Sequence, residues 1–221
     1  MNGELIVTED VPGAFAAAVV EAYQSRLGDS FSLALSGGEL ARTCYERLAD
    51  MPEEPIDWWN VDVYWGDERC VPAEDPDSNQ LLGRRALLER VGAANSVHPM
   101  LCAEGPNAYQ LKIGELGIFD LVHLGMGPDG HTASLFPDSP GLSAPPGQLV
   151  CLNSDPSGRN PHDRMTLTLE GLARARLILF TVSGPNKAEA MARVYRGEAL
   201  PAGRVGAEKI VWLVDPEASP L

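Results

Sequence analysis

Short apolar runs alternate along the chain with segments in which apolar residues recur at helical spacing. The apolar runs predict strands over residues 5–8, 31–35, 61–65, 119–124, 177–182 and 210–214. Helical spacing and end signals predict helices over residues 10–27, 39–49, 78–91, 106–116 and 185–196. Asp10 is the predicted cap of the first helix, and Gly28 and Gly92 are predicted stops. This alternation favours an α/β fold with a parallel sheet and right-handed crossovers.

The remaining segments have less regular patterns. Residues 66–79 are a predicted polar loop, and residues 131–136 are a short helical segment that Pro137 ends. Residues 137–164 are long and irregular, with a short strand considered near residues 149–152, and residues 165–169 alternate polar and apolar. The chain has no internal repeat and no clear linker, and its 221 residues fit one large domain or two small ones.

Four predicted strands run directly into loops that are rich in glycine or charge. These loops are residues 36–38, 66–69, 125–131 and 183–187. In open α/β sheets, ligands bind beyond the carboxyl ends of the strands. In a parallel sheet all four loops share one rim, so their convergence is a stronger signal than any one of them.

Two of the loops carry glycine patterns that suit phosphate. Gly37 and Gly38 precede a predicted helix, where backbone N–H groups can hold a phosphate; an ordinary strand-to-helix turn is the alternative. The run Gly125-Met-Gly127-Pro-Asp-Gly130 matches the G-x-G-x-x-G pattern of dinucleotide sites. Pro128 interrupts this run, and no acidic residue lies near position 150, so the sequence argues against NAD(P).

His131 is the candidate general base. An imidazole, with an ordinary pKa of about 6.5, suits proton transfer near neutrality. Asp129, two residues earlier, can orient the ring. A solvated loop histidine or a helix-capping contact is the alternative. His98, His123 and His162 are interpreted as structural.

Basic residues in these loops are informative because the net charge of the chain is −14. Such a charge argues against nucleic acid and against an anionic membrane surface. An acidic protein needs local cations to bind an anion. The candidate cations are Arg69, which follows Asp67 and Glu68, and then Arg164 and Lys187. The alternative for each is a surface ion pair or a solvated charge.

The cysteines and the chain's hydropathy bear on location. Cys44, Cys70, Cys102 and Cys151 are scattered, without the paired spacing of zinc ligands, and no other metal motif is found. No apolar run approaches the about 20 residues of a membrane-spanning helix, and the N-terminus lacks a secretory pattern. The cytoplasm is therefore the expected location, and the cysteines are interpreted as reduced thiols that behave as small hydrophobes.

Several motifs together resemble a known family. The run FDLVHLGMGPDGHTASLFP, residues 119–137, is similar to the signature of the 6-phosphogluconolactonases. Four further blocks resemble that family: residues 66–72 with Asp77-Ser-Asn79 and Arg84, residues 164–169, residues 184–187 and residues 212–215. The blocks occur in the family's order and span roughly residues 31–215.

The resemblance implies a single domain over residues 1–221, with an open, mainly parallel, twisted sheet flanked by helices. This Rossmann-like fold is related to those of sugar-phosphate isomerases and deaminases. The family hydrolyses 6-phospho-D-glucono-1,5-lactone to 6-phosphogluconate, the second step of the oxidative pentose phosphate pathway, without a cofactor or metal. The resemblance makes His131 the base, with Asp129 beside it. The implied substrate or phosphate contacts are Gly37, Gly38, Asp67, Glu68, Arg69, Gly127, Gly130, Arg164 and Lys187.

The expected partner is this phosphosugar lactone, bound by a monomer or a weak homodimer. One position departs from the family pattern, because Glu39 replaces the serine that usually follows the two glycines. Glu39 either points outward, leaving the Gly37 and Gly38 N–H groups free, or weakens phosphate binding. Two alternative functions stay open. A glucosamine-6-phosphate deaminase or related isomerase has a different motif after the histidine, and a non-catalytic sugar-phosphate sensor is suggested by Glu39 alone.

Overall fold

Ten strands form in the chain, in a computed structural model that describes residues 1–52 and 55–221. They are β1 (Glu4–Val7), β2 (Phe31–Leu35), β3 (Val61–Trp65), β4 (Asp67–Arg69), β5 (Ser96–Val97), β6 (Phe119–Gly125), β7 (Val150–Asn153), β8 (Arg164–Leu167), β9 (Ala175–Val182) and β10 (Lys209–Val214). Seven of these strands form one parallel sheet in the order β1-β10-β9-β6-β2-β3-β5. The prediction of a parallel α/β sheet is therefore confirmed.

Seven α-helices accompany the strands in the described part of the chain. They are α1 (Val11–Gln24), α2 (Glu39–Ala49), α3 (Asn79–Gly83), α4 (Glu89–Val91), α5 (Gly105–Leu116), α6 (Leu169–Leu172) and α7 (Ala188–Tyr195). A π-helical turn at Arg84–Leu88 joins α3 to α4, and Gly92 ends this segment with φ 71°. Asp10 caps α1 as predicted, because its Oδ1 accepts a hydrogen bond of 2.9 Å from the Gly13 N–H. None of the helices in residues 1–52 and 55–221 is long and apolar enough to cross a membrane.

Several strands are unbroken apolar runs in the sequence because both of their faces are buried in the core. All five residues of β2 are buried, as expected for a central strand that is covered on both faces. Phe15 of α1 is fully buried among these strands. On the other half of the sheet, the rings of Phe180 and Trp212 stack with their centroids 3.8 Å apart.

The strand order of the main sheet reverses between β2 and β6. From β2 the chain continues to β3 and β5 on one side, and from β6 it continues to β9 and β10 on the other. The loops that follow β2 and β6 therefore diverge at their carboxyl ends. Such a switch point leaves a crevice in which open α/β sheets bind their ligands.

A second, antiparallel sheet has the order β4-β8-β7 and is not part of the sequence prediction. The polar loop predicted over residues 66–79 is wrong in its first part, because β4 pairs with β8. Three charged residues show no apolar alternation, so no local pattern signals this strand. Within residues 137–164, β7 confirms the short strand considered near residues 149–152, and a 3-10 turn at Pro140–Ser143 was not predicted.

The helical segment predicted over residues 131–136 is wrong. Thr132 and Leu135 form an isolated bridge instead, and Ala133 between them has a positive φ of 46°. The Thr132 hydroxyl donates to the Gly125 carbonyl, and the Ser134 hydroxyl donates to the Asp67 carboxylate. Neither acceptor is a residue that a helix over 131–136 would place beside its donor. These tertiary contacts override the local helical preference.

The interpretation of all four cysteines as reduced thiols is wrong for Cys70 and Cys102. Cys70 and Cys102 form a disulfide, with their Cα atoms 5.4 Å apart and a sequence separation of 32. The loop after β4 meets a turn before α5 at this point, and no local spacing reveals such a contact. Cys44 and Cys151 are free and buried, and burial raises the pKa of the Cys44 thiol to about 12.

Candidate functional site

A cleft of about 600 Å³ opens at the switch point between β2 and β6. All four loops that were expected to share one rim contribute to it. The predicted site residues that line the cleft are Gly37, Gly38, Asp67, Arg69, Gly127, His131, Arg164 and Lys187. Asp129 lies against His131, whereas Glu68 and Gly130 lie outside the lining.

A short hydrogen bond at the cleft joins His131 to Asp129. The Nδ1 atom of His131 lies 2.6 Å from Oδ1 of Asp129, and the same oxygen accepts the His131 backbone N–H at 3.1 Å. Both side chains are four-fifths buried, with 20% and 17% exposed. Burial raises the pKa of the Asp129 carboxyl, but hydrogen bonds and charge from His131 outweigh it, so the pKa lies below its ordinary value.

This arrangement determines which nitrogen of His131 is available for chemistry. An ionised carboxylate only accepts hydrogen bonds, so Asp129 requires the proton of a neutral imidazole on Nδ1. The Nε2 lone pair of His131 is then free on the ring that lines the cleft. A histidine held in this tautomer by a carboxylate can take a proton from water or from a substrate hydroxyl.

Two glycines give the His131 loop its shape. A Cβ on Gly127 would overlap with the His131 ring, so this position has to be glycine for the ring to pack there. The backbone N–H of Gly127 donates to the His131 carbonyl at 2.9 Å and closes the loop. Gly130 has φ +82°, and a Cβ there would come within 2.7 Å of Leu200. Gly130 therefore packs against Leu200 outside the cleft, although the resemblance implied a substrate contact for it.

The loop after β2 presents backbone N–H groups to the cleft. Gly38 begins α2 with φ 100° and no side-chain cap, and within residues 1–52 and 55–221 the N–H groups of Gly37 and Gly38 have no hydrogen-bond partner. Free N–H groups at a helix start favour an anion. The Glu39 side chain is 78% exposed and pairs with Arg42, whose hydrogen bond lowers the pKa of the Glu39 carboxyl. Glu39 is thus engaged away from the two glycines.

A buried polar chain supports this loop from below. The Tyr45 hydroxyl accepts the Ser36 N–H at 2.7 Å and lies 2.8 Å from Nδ1 of His123. The other ring nitrogen of His123 lies 2.9 Å from the Thr181 hydroxyl. Burial lowers the pKa of His123 to about 3, so the ring is neutral. Its partners confirm the interpretation of His123 as structural.

Strands β4 and β8 place two guanidinium groups side by side. Arg69 and Arg164 are opposite each other in the antiparallel register, and both line the cleft. Arg164 is only 6% exposed, and its Nε has no hydrogen-bond partner within the described chain. Burial lowers the pKa of Arg164, and the charge of Asp67 works in the opposite direction. A buried guanidinium with an unused donor is suited to bind an anion.

Lys187 supplies a third cation. It lies in the turn Pro185–Lys187 before α7. Burial lowers the pKa of its ammonium group, and the charge of Asp129 works against this change, so Lys187 lies near the His131 pair. Asp215 holds the start of this turn, because its Oδ2 accepts hydrogen bonds from the Ser183 hydroxyl at 2.6 Å and the Gly184 N–H at 2.9 Å.

Asp67 and Glu68 face opposite sides of β4, because side chains alternate along a strand. Asp67 is buried at the cleft, and its Oδ2 accepts a hydrogen bond of 2.5 Å from the Ser134 hydroxyl. Glu68 points to the start of α3 and accepts the N–H groups of Asn79 and Gln80 at 2.7 Å each. Burial raises the pKa of the Glu68 carboxyl, against the effect of these bonds. The prediction that Glu68 contacts the substrate is therefore replaced by a helix-capping role.

Three residues that the sequence argument did not single out belong to the cleft wall: Asn79, Ser134 and Phe136. The Asn79 amide donates to the Asp67 carbonyl at 3.0 Å, and its oxygen packs against Gly37. The Phe136 ring centroid lies 5.0 Å from that of His131 and 6.0 Å from the guanidinium carbon of Arg164. All three stand inside the quoted motifs, which is the one signal that could have found them.

No group of three or more His, Cys, Asp or Glu side chains in residues 1–52 and 55–221 is arranged to hold a metal ion. The groups that converge on the cleft are a carboxylate-oriented imidazole, three cations and free backbone N–H groups. Together they can bind an anionic small molecule and move a proton beside it. The fold and the cleft thus define an α/β protein of the class that binds small anionic ligands at a sheet switch point.

Comparison with known proteins places the chain within that class. The chain belongs to the family of glucosamine-6-phosphate isomerases and 6-phosphogluconolactonases, whose profile matches residues 7–212. A relative from Synechocystis sp. named 6-phosphogluconolactonase is 34% identical over 206 residues, which are 85% of this chain and 82% of the relative.

Two solved structures extend the comparison. The 6-phosphogluconolactonase from Thermotoga maritima has a TM-score of 0.82 and 29% sequence identity to this chain. The superposition covers 96% of this chain and 99% of the Thermotoga chain. A monomeric glucosamine-6-phosphate deaminase has a TM-score of 0.80 at 20% identity, covering 99% and 98% of the two chains. This second similarity shows the shared fold alone, and it confirms the predicted relation to the deaminase folds.

Proposed function

We propose that the protein hydrolyses 6-phospho-D-glucono-1,5-lactone to 6-phospho-D-gluconate, with His131 as the general base. One observation carries this proposal: the carboxylate-held imidazole of His131 faces the same cleft as three cations and the free N–H groups of Gly37 and Gly38. Family membership supports the substrate class. The reaction is the second step of the oxidative pentose phosphate pathway.

The anion-binding groups hold the substrate in place. The phosphate is a dianion over much of the neutral range, and the cleft offers guanidinium, ammonium and backbone N–H donors for it. Arg69, Arg164 and Lys187 are the side chains we assign to this task, with Gly37 and Gly38. A phosphate bound remote from the lactone carbonyl orients the ring, and this lowers the entropic part of the barrier.

The chemical step starts at Nε2 of His131. Nε2 takes a proton from water, and the resulting hydroxide forms a bond to C1 of the lactone. The carbonyl electrons move to oxygen, where the cleft's donors stabilise the negative charge. When the carbonyl re-forms, the bond from C1 to the ring oxygen breaks, and the ring oxygen takes the proton back from Nε2. Asp129 stabilises the imidazolium between the two transfers.

The experiment uses freshly made 6-phosphoglucono-1,5-lactone near neutral pH. Acid release is followed with and without protein, because the lactone also opens spontaneously. We expect a large excess over the background for the natural protein and a loss of about 10²–10⁴-fold in kcat for His131→Ala. The variant should still bind 6-phosphogluconate, which calorimetry can measure.

Other outcomes would point elsewhere. Undiminished turnover by His131→Ala would remove His131 as the base. Release of ammonia from glucosamine 6-phosphate without lactone hydrolysis would favour a deaminase. Thermal stabilisation by 6-phosphogluconate without any turnover would favour a sugar-phosphate sensor. The sensor hypothesis rests on Glu39, and Arg42 engages that carboxylate.

The same proposal includes the setting of the enzyme. We take residues 1–221 as one domain that acts as a monomer or weak homodimer in the cytoplasm, without a cofactor or metal. The net charge of −14 supports a small-molecule partner over nucleic acid. Size measurement in solution and fractionation of cells test these parts separately from the activity.

A further inference from the structure

We propose that His162 and Asp77 form a clamp that positions Arg69 and Arg164, the two guanidinium groups of the cleft. The clamp deepens the function proposed above and rests on it for its kinetic consequence. His162 was interpreted from the sequence as structural, and neither residue lines the cleft. Both are therefore positioning residues, which act through the arginines and do not touch the substrate.

The two arginines are held by carbonyls of two different loops. Nη1 of Arg69 donates a hydrogen bond of 2.6 Å to the backbone carbonyl of Asp77. Nη2 of Arg164 donates a hydrogen bond of 3.1 Å to the backbone carbonyl of Pro161. Each guanidinium therefore takes its direction from a carbonyl in a segment outside the strand pair β4–β8.

The clamp joins these two segments. Nε2 of His162 lies 3.0 Å from Oδ2 of Asp77, so the residue after Pro161 is tied to the residue that holds Arg69. The backbone adds a second link nearby, because the Cys70 N–H donates to the Asp163 carbonyl at 2.8 Å. The two carbonyls that orient the arginines are thus kept at a constant separation by the His162–Asp77 pair.

The backbone of His162 indicates that this contact is retained against a local preference. His162 has φ 75°, a left-handed conformation that a few per cent of residues other than glycine adopt, with histidine, asparagine and aspartate the more frequent among them. The side chain is one-third exposed, so no tight packing forces the conformation. The conformation aims the imidazole at Asp77, and this is the one side-chain hydrogen bond that His162 makes in the described structure.

His162→Gly separates the clamp from stability. Glycine removes the imidazole and accepts the positive φ, so we expect the melting temperature to stay within about 2 °C of the natural protein. Without the clamp the arginines sample more orientations. We expect KM for the lactone to rise by about three- to fivefold with kcat unchanged, the scale of one hydrogen bond.

A double-mutant cycle tests the pairing itself. Asp77→Ala removes the carboxylate but keeps the carbonyl that holds Arg69, so alone it should raise KM as His162→Gly does. In the His162→Gly background, Asp77→Ala should have a smaller effect on KM than in the natural protein, because only the direct charge of Asp77 on Arg164 is then lost. Asp50→Ala is the matched control, because it breaks an exposed ion pair, with Arg90, that has no part in the cleft.

His162→Asn guards against an effect of added loop flexibility. Asparagine tolerates the left-handed backbone better than most residues but has a shorter side chain. It should raise KM as the glycine variant does. Unchanged KM in both variants of an active enzyme would overturn the clamp, as would an equal effect of Asp50→Ala or additive effects in the cycle.

Inorganic phosphate separates failure of the clamp from failure of the proposed function. If the natural protein does not hydrolyse the lactone, the function fails, but the clamp still predicts weaker phosphate binding by His162→Gly, measured by calorimetry. Equal phosphate affinity in the two proteins would then overturn the clamp as well.

Discussion

Two histidines of one strand-and-loop unit have opposite surroundings. His123 lies within β6, is fully buried and has hydroxyl partners, Tyr45 and Thr181. His131 lies in the loop that follows, is one-fifth exposed and has a carboxylate partner, Asp129. Burial lowers the pKa of His123 to about 3, whereas the pKa of the Asp129 carboxyl lies below its ordinary value, so a negative charge stands beside the His131 ring.

The difference teaches that the partner and the access to solvent decide what a histidine does. His123 cannot take up a proton near neutrality, because the charged ring would have neither water nor a counter-charge. It serves as a neutral link beneath the Ser36 loop. His131 has both a counter-charge and an open side, so it can cycle between its two protonation states.

The largest expected effect is the loss of kcat when the carboxylate partner of His131 is replaced. Asp129→Asn keeps the size of the side chain but removes the negative charge that selects the Nδ1–H tautomer. We expect kcat to fall by about 10²-fold or more, because the base loses its orientation and its counter-charge. Steady-state kinetics on the lactone would measure the loss.

Asp138→Asn is the matched control for that substitution. It makes the same chemical change in the neighbouring loop, at an exposed residue with φ 58° that asparagine tolerates. Its kcat should equal that of the natural protein. Equal losses in the two variants would mean that the loop, and not the Asp129–His131 pair, limits the rate.

The second prediction concerns the stability that His123 provides. His123→Leu leaves the Thr181 hydroxyl without its ring partner inside the core. We expect the free energy of unfolding at pH 7 to fall by about 1–3 kcal/mol, because the substitution removes both buried hydrogen bonds of the His123 ring. Urea titration would measure this fall, while kcat should stay within about threefold because Tyr45 keeps its bond to Ser36. A variant that is fully stable but inactive would reverse the roles assigned to the two histidines.

The last prediction concerns the pH dependence of that difference in stability, which is expected to be of similar size. The pKa of His123 is about 3 in the folded protein and about 6.5 in the unfolded chain, so below about pH 6.5 the unfolded chain binds one more proton. Acid therefore destabilises the natural protein, by about 2 kcal/mol through this residue between pH 7 and pH 5. His123→Leu lacks this contribution.

Urea titrations of both proteins at the two pH values would test the sign. The unfolding free energy of the natural protein minus that of His123→Leu should be lower at pH 5 than at pH 7 by about 2 kcal/mol. A difference that stays constant or rises would show that His123 is protonated in the folded state.

Much of the fold could be predicted because its strands are long and apolar. The bounds of β2, β3 and α2 match the predicted ranges 31–35, 61–65 and 39–49. The three-residue strand β4 was not predicted, because its pairing with β8 comes from tertiary contacts and its residues are all charged. The Cys70–Cys102 disulfide escaped for the same reason.

The part of the site that lies in strand-end loops and in the quoted motifs could be predicted from the sequence. The pairing of His131 with Asp129 follows from two positions in one loop, and the structure has it at 2.6 Å. The supporting contacts could not be predicted, because they join distant segments. Ser134 reaches Asp67 across 67 residues, and Asn79 fills the space beside Gly37.

The alternation of Asp67, Glu68 and Arg69 along β4 also limits how the chain length can vary here. Deleting or inserting one residue just before β4 would turn Glu68 into the cleft and move its neighbours out of it. A single carboxylate would then replace a guanidinium at the anion-binding wall, and the first N–H groups of α3 would lose the Glu68 carboxylate that accepts them. The spacing between Trp65 and Arg69 is therefore intolerant of length changes, although point substitutions at exposed positions nearby are not restricted in this way.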